Sequence, residues 1–243
     1  MYSLFIKEIK SFFNSLTGYL VIIAFLLINS LFMWVFEGPM NLPDGGYATI
    51  DTLFILAPWV FLMLIPAVTM RSFAEEKRAG TLDLLLTRPL SELQIIAAKY
   101  FAAVVLIILA LLPTLVYYYS IVSLGNPVGN IDKGGTWGSY IGLFMLAGAY
   151  AAIGIFCSSL TDTLVVSFLL AAFLCLFMCY GFEQLGTLLT MGKAGKVLLS
   201  LGIIEHYKSM SRGVLDTRDV VYFIALVLIF LFMTKTRLES HKN

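Results

Sequence analysis

The sequence predicts an all-α membrane protein with six transmembrane helices, and three observations carry that expectation. The 243 residues are 60% hydrophobic and only 13% charged, with a mean hydropathy of +0.91, whereas soluble domains run near 45–50% apolar and about 25% charged. The charged residues cluster between long uncharged runs. Those runs are continuously apolar and lack the alternation over roughly ten residues that marks a transmembrane β-strand. A globule of 27.0 kDa has too little interior to hide this much apolar surface. Three other classes drop out on the same figures. Disorder requires low hydrophobicity, and a disulfide scaffold requires more than 3 cysteines in a chain of this size. Nucleic-acid binding requires a basic excess, but 16 Lys+Arg against 15 Asp+Glu leave a net charge of +1.

Residues 1–18 predict a helix lying in the membrane interface. Phe5, Ile9, Phe12 and Leu16 share one face and Lys7, Lys10 and Asn14 another, with Thr17-Gly18 expected to turn the chain into the first span. Because about 20 apolar residues cross the roughly 30 Å hydrocarbon layer, the uncharged runs trim to spans at 19–36, 53–70, 100–122, 137–160, 163–182 and 220–234. The last is short, and Arg218, Lys235 and Arg237 are placed to snorkel to the two interfaces. The first run is read as a retained span rather than a cleaved leader, since Glu37-Gly38-Pro39 follows it without a small-residue cleavage site.

With the N-terminus inside, inner segments hold ten Lys and Arg and outer segments six, which favours both termini in the cytoplasm. Cys157, Cys175 and Cys179 fall within spans and read as small apolar fillers. In the fourth span Ala147/Ala151 and Gly148/Ala152 repeat small residues four apart. Such spacing admits a close helix neighbour, within the subunit as the plainer choice or between subunits.

No Asp, Glu, Lys, Arg or His lies inside any trimmed span. Proton relays, ion-coupled carriers and voltage sensors need such groups, so those classes fall away, and no catalytic or metal-ligating set is evident. His206 and His241 lie outside the spans, and His206 reads as an interfacial residue rather than a ligand. No phosphate-binding loop of the form G-x-x-x-x-G-K-[ST] occurs. The nearest string, Gly192-Lys193-Ala194-Gly195-Lys196, lacks both the spacing and the hydroxyl. If ATP drives this protein, another chain binds it.

Charge concentrates in residues 71–99. The second span is expected to run on through Glu75, Glu76, Lys77 and Arg78 and to stop at Gly80, a natural helix C′ residue. Thr81 then caps a new turn with Asp83 near its positive end, and Leu82, Leu85 and Leu86 form an apolar stripe. Pro89 ends that turn, and Ser91 with Gln94 predicts a capping box that opens the helix of the third span. A short striped helix with a charged rim suits a groove on a soluble partner. The alternative is a hairpin lying on the bilayer, with Lys77 and Arg88 at lipid phosphates.

The run Glu75-Glu76-Lys77-Arg78-x-Gly80-Thr81-Leu82-Asp83-Leu84-Leu85-x-x-x-Pro89-Leu90-Ser91 resembles the E-x-[KR]-x-G-T-[LI]-[ED]-x-L-L-x-x-P loop of ABC-2 type permeases, with one extra residue before the proline. The likeness extends along the whole chain in the order of its elements, and within the family it runs towards permease subunits associated with gliding motility. The resemblance implies a permease subunit of the bacterial cytoplasmic membrane that moves a substrate, as an exporter, with ATP and Mg held on a separate subunit. It also implies that residues 71–99 hold a coupling helix, with Glu75, Glu76, Arg78, Gly80, Thr81, Leu82, Asp83, Leu85 and Pro89 at or beside the ATPase contact. The partners it implies are two copies of an ATP-binding subunit and a second permease, identical or different, besides membrane lipids. A different class, a non-transporting anchor that couples an ATPase to envelope assembly or mechanical work, is also compatible with the spans.

Residues 183–219 mix apolar residues with Lys193, Lys196 and Lys208, a pattern of re-entrant or interfacial helices rather than a crossing. ABC-2 permeases place a gate over the exit here. By that resemblance Glu183, Glu205, His206, Gly213 and Asp216 belong to an external gate leading into the last span, where a raft of interfacial helices without gating is the alternative.

Overall fold

The computed structural model describes residues 1–87, 90–188 and 199–242, and among these every regular element is helical. The α-helices of five residues or more are α1 (Tyr2–Asn14), α2 (Leu16–Ser30), α3 (Asp51–Thr69), α4 (Arg71–Arg78), α5 (Leu82–Leu86), α6 (Glu92–Leu111), α7 (Leu115–Leu124), α8 (Lys133–Leu160), α9 (Leu164–Leu176), α10 (Phe182–Leu188), α11 (Ile203–Ser211) and α12 (Thr217–Lys242). Six stretches are long and apolar enough to cross a membrane: Gly18–Val35, Asp51–Arg78, Glu92–Leu124, Lys133–Leu160, Leu164–Thr187 and Thr217–Ser240. The expected all-α, six-span architecture is therefore present.

At the centre lies α8, packed by α3, α4, α6, α9, α11 and α12. Its small residues make this possible. Ala147, Gly148, Ala151 and Ala152 are all buried within the chain, so the small-residue repeat serves packing inside the subunit. At Gly154 a Cβ would lie 1.9 Å from Thr69 Oγ1 and 2.9 Å from Thr69 Cβ, so α3 and α8 touch backbone to side chain. Farther along α8, a Cβ at Gly138 would stand 2.5 Å from the Met210 carbonyl, so α11 lies equally close.

Prolines mark two spans, and hydroxyls from neighbouring helices bond backbone carbonyls near them. Pro58 has no N–H to offer the Phe54 carbonyl. The Tyr207 hydroxyl of α11 donates to that carbonyl at 2.8 Å, tying α11 to α3. Pro113 splits the third span into α6 and α7 through a tight turn at Leu112–Thr114, where the Tyr140 hydroxyl donates to the Thr114 carbonyl at 3.1 Å.

The helix boundaries depart from the sequence expectation in places. The first helix ends at Asn14 rather than at 18, because Ser15 takes an extended conformation and its hydroxyl turns back to the Phe12 carbonyl at 3.1 Å. Gly18 sits inside α2, where a Cβ would meet the Phe12 carbonyl oxygen at 2.5 Å, and Leu16 belongs to α2 instead of the α1 face. The helical stretch of the fifth span passes through Glu183 to Leu188, and α12 begins ahead of residue 220 and ends beyond 234.

Leu4 near the N-terminus and Leu238 near the C-terminus share one apolar cluster with Phe73, Leu82, Leu85, Ile95, Ile96, Ala98 and Ile155. Both chain ends and the charged 71–99 segment thus occupy the same end of the bundle, called here the terminal end. The 203–216 segment and the start of α8 form the far end.

Candidate functional site

The terminal end is built on a nearly continuous rod of α3 and α4. At Met70 the rod admits a hydroxyl from α8. Ser158 Oγ accepts from the N–H groups of Phe73 and Ala74 at 2.8 and 3.0 Å and donates to the Met70 carbonyl at 3.0 Å. The hydroxyl thereby stands between Met70 C=O and Ala74 N–H, opening one rung of the helical ladder as an inserted side chain does at a kink. Lys77, one turn on, donates to the Ser159 carbonyl among the last carbonyls of α8, where a cation complements the helix dipole. Lys77 is thus turned towards α8 rather than to lipid phosphates. Replacing Ser158 with alanine is expected to cost about 1 kcal/mol, since the ladder recloses at Met70 and recovers part of the loss. Amide exchange at Phe73 and Ala74 measures it: both should change while α6 amides do not.

Beside the rod lies a charge cluster. Lys99 of α6 is 2% exposed, and its Nζ is 3.0 Å from Glu8 Oε1 of α1 and 3.0 Å from Glu76 Oε1 of α4. The ammonium also sits 5.0 Å from the centre of the Phe73 ring, and Lys7 approaches Glu76 at 3.8 Å. One buried cation thus ties three helices. A polar cavity of about 300 Å³ opens next to it, lined among others by Arg71, Glu75, Ser72 and Thr81.

The loop beyond α4 is shaped by Gly80. With φ +65° it occupies the left-handed region. The N–H of Gly80 bonds the Lys77 carbonyl at 3.0 Å and that of Thr81 bonds the Glu76 carbonyl at 2.9 Å, the paired bonds of a Schellman motif. Thr81 precedes α5 as expected, but its hydroxyl points back to the Glu76 carbonyl at 3.3 Å and does not cap the new helix. The Ser91–Gln94 capping box forms in both directions. Arg88 and Pro89 lie outside the described residues.

Two members of the α5 stripe, Leu82 and Leu85, face the protein itself; the side chain of Leu86 lies outside what is described. Leu82 and Leu85 are buried against Phe73, Ile95 and Ile155, where they help Leu4 and Leu238 close the terminal end. The surface left open to a partner is the opposite one: Glu75, Arg78, Gly80, Thr81 and Asp83 are exposed, and so is Leu84, at 68%. Glu76 is drawn inward by Lys99.

The far end holds the other expected residues. Glu183 and Glu205 lie 3.3 and 3.7 Å from Lys208. His206 stacks on Tyr222 with ring centres 3.9 Å apart, and its Nδ1 is 2.7 Å from Asp219 Oδ1. Gly213, at φ +84°, lies against the backbone of Gly134 and Gly135, 2.8 Å from where a Cβ would be. The Asp216 carboxylate accepts from the Arg218 N–H at 2.9 Å and so caps α12. The expected loop residues therefore gather at one end and the expected gate residues at the other, joined by α3 and α8. Lysines 193 and 196 lie outside the described residues. Among the described residues no three His, Cys, Asp or Glu gather as a metal site would require.

Sequence reasoning overlooked Lys99, Glu8, Ser158, Tyr207 and Asp219. For Lys99 a signal existed, since Ile95, Ile96, Lys99, Ala102, Ala103 and Leu106 follow helical spacing on one buried face. For Ser158 and Tyr207 there was none, because each acts on a backbone group distant in the chain.

Comparison with protein families gives a match over residues 7–239 to the model described as ABC-2 family transporter protein. No curated protein matches the chain.

Proposed function

The chain belongs to the ABC-2 transporter family, and on that premise we propose that it is the permease subunit that receives force from separate ATP-binding subunits through the exposed face of its 71–87 segment. The membership makes it a multi-pass membrane component of an ABC transporter, a class that associates with an ATP-binding subunit. The narrower parts of the proposal are these. Two ATP-binding subunits sit beneath two permeases, which are two copies of this chain or this chain and another. The terminal end faces the cytoplasm, the membrane is the bacterial cytoplasmic membrane, and the substrate is exported. Gliding motility is the process proposed for it. ATP and Mg belong to the partner, and this chain contributes conformational change only.

The observation that carries the reading is the division of the 71–87 segment into two faces. Its inner side is bonded into the bundle through Leu82, Leu85, Lys77 and the Glu76–Lys99 pair, while its outer side presents Glu75, Arg78, Asp83 and Leu84. A segment held rigidly on one side and open on the other passes a push from a partner directly into α3 and α8. Movement of cargo is then a shift in population between two arrangements of the bundle.

The test separates the faces. Leu84→Asp with Asp83→Arg is expected to leave the thermal transition of the permease unchanged and to abolish co-purification with the ATP-binding subunit. Leu85→Asp should instead unfold the permease alone, by roughly 3 kcal/mol for a charge forced into an apolar cluster. If the Leu84/Asp83 double variant retains its partner and its ATP-dependent substrate movement in reconstituted vesicles, the outer face is not the contact. A wild-type complex that hydrolyses ATP without vectorial movement of lipid, glycan or polypeptide would favour the anchoring role.

A further inference from the structure

We propose that a cavity at the far end, between the 36–50 and 125–131 loops, is a binding site for a neutral saccharide. The cavity measures about 470 Å³, within the roughly 300–1,000 Å³ of small-molecule sites. One wall is the single helical turn Leu42–Gly45 with the residues that follow it, and the other is the end of α7 with the loop leading into α8. Trp34, at the close of the first span, completes the lining.

Both walls are held by the chain's own bonds. In the first, the Asn41 side-chain amide donates to the Phe36 carbonyl and the Thr52 hydroxyl to the Met40 carbonyl, each at 2.9 Å. In the second, the Gly129 N–H donates to the Val122 carbonyl and the Asn130 N–H to the Pro127 carbonyl, each at 3.1 Å. The walls meet where a Cβ on Gly125 would lie 3.4 Å from that of Ala48. The Ser30 and Tyr117 hydroxyls bond one another and pin α2 to α7. A ligand entering a site held in this way has little of it to order.

The lining selects the chemistry of the ligand. None of the described lining residues is charged, and Asp44, in the helical turn, directs its carboxylate to the Gly38 N–H at 3.1 Å. A phosphate, carboxylate or ammonium would lose water here without gaining a counter-charge. The cavity offers two aromatic rings, Trp34 and Tyr47, and two primary amides, Asn126 and Asn130. Among the described residues no hydrogen bond engages the Trp34 indole N–H, the Tyr47 hydroxyl or either amide side chain. An amide presents donors and an acceptor side by side, which adjacent sugar hydroxyls match in both senses. The C–H face of a pyranose is apolar and lies well on an aromatic ring. Aromatic residues at a span end also serve as membrane-interface anchors, but that use brings no free amides into a cavity beside them. An uncharged peptide carries similar polar groups. The common ways of holding one need a sheet edge or a long apolar groove, and no strand occurs among the described residues. Which side of the membrane the far end faces belongs to the proposed function, and the chemistry of the site does not depend on it.

Saturation-transfer NMR tests the site, with the full-length chain in phospholipid nanodiscs. The probes are neutral oligosaccharides of hexose and N-acetylhexosamine units, uronic-acid and sulfated oligosaccharides, and uncharged peptides. Neutral oligosaccharides are expected to bind with dissociation constants of about 1 mM or below, and the other probes not to bind. Tyr47 and Asn126 are both exposed, so Tyr47→Ala and Asn126→Leu should leave the Tm unchanged. Each should weaken binding about tenfold through loss of one stacking or hydrogen-bonding contact. A neutral glycosyl diacylglycerol added to the nanodisc separates two sources of the sugar. A site for lipid headgroups loses the soluble oligosaccharide to it, whereas a site for free or polymer-borne sugar does not. Absence of binding by every neutral oligosaccharide, preference for the charged glycans or the peptides, or wild-type affinity in both variants overturns the proposal. No ATP-binding subunit takes part, so failure here is distinct from failure of the permease reading.

Discussion

Replacing Lys99 with alanine is expected to lower the apparent Tm of the permease by about 10 °C. The ammonium is buried and lies 3.0 Å from each of Glu8 and Glu76. Taking it away leaves two poorly solvated carboxylates with no cation between them, because Lys7 reaches only Glu76, at 3.8 Å and from a solvent-exposed position. Breaking a buried ion pair by removing one partner costs roughly 3–5 kcal/mol, and a chain of this length shifts by about 2–4 °C per kcal/mol. The companion experiment removes all three charges together. Lys99→Met with Glu8→Gln and Glu76→Gln should recover most of the stability, because an apolar or neutral replacement of a whole buried cluster is often close to neutral. It should still weaken the response of the permease to its ATP-binding partner, since α1, α4 and α6 are then joined by packing alone. A drop in the single variant of less than about 2 °C would show that the carboxylates find water and that the cluster is not sealed.

The second large effect is expected at Gly154. Here α3 and α8 are so close that a methyl group would fall 1.9 Å from Thr69 Oγ1, and the Thr69 hydroxyl is itself fixed by donating to the Ile65 carbonyl at 2.9 Å. Gly154→Ala must push the helices apart, at roughly 3 kcal/mol or more for overpacking a buried contact. One turn further along α8, Ser158 would be withdrawn from Met70, Phe73 and Ala74. Loss of thermal stability together with faster exchange at Phe73 and Ala74 is the expected result. An unchanged Tm would mean that the crossing is wider than the structure shows.

Much of this fold is legible in the sequence because a bilayer leaves few choices. Helices satisfy their own backbone, so the uncharged runs locate all six spans and the capping box at Ser91 locates the start of α6. Gly80 was readable for a similar local reason, since an αL residue after a charged helical turn has few other uses. What escaped notice involves contacts between distant residues. The stripe of Leu82, Leu85 and Leu86 reads as a docking face by periodicity alone, because a five-residue helix with three leucines on one side carries no record of whether its own chain or a partner covers them. Lys99 was counted as a topology marker at the edge of the third span, whereas its position one turn after Ile95 placed it inside. Asp219 was treated likewise, although it lies one residue before the trimmed sixth span. Trimming spans at the first charge hides the charges that are buried. The turn at Ser15 escaped because Thr17-Gly18 looked like the natural corner, while Gly18 is required inside α2 by the closeness of the Phe12 carbonyl.

The stretch from Asp51 to Arg78 is 28 residues and measures about 42 Å at the helical rise of 1.5 Å per residue. If it moves as one rigid body, it acts as a seesaw. Rocked about its midpoint by roughly 5°, each tip travels about 2 Å, more than a hydrogen bond near 2.8 Å tolerates without breaking. A displacement that small, delivered at Gly80, is enough to part Tyr207 from Phe54 unless α11 follows.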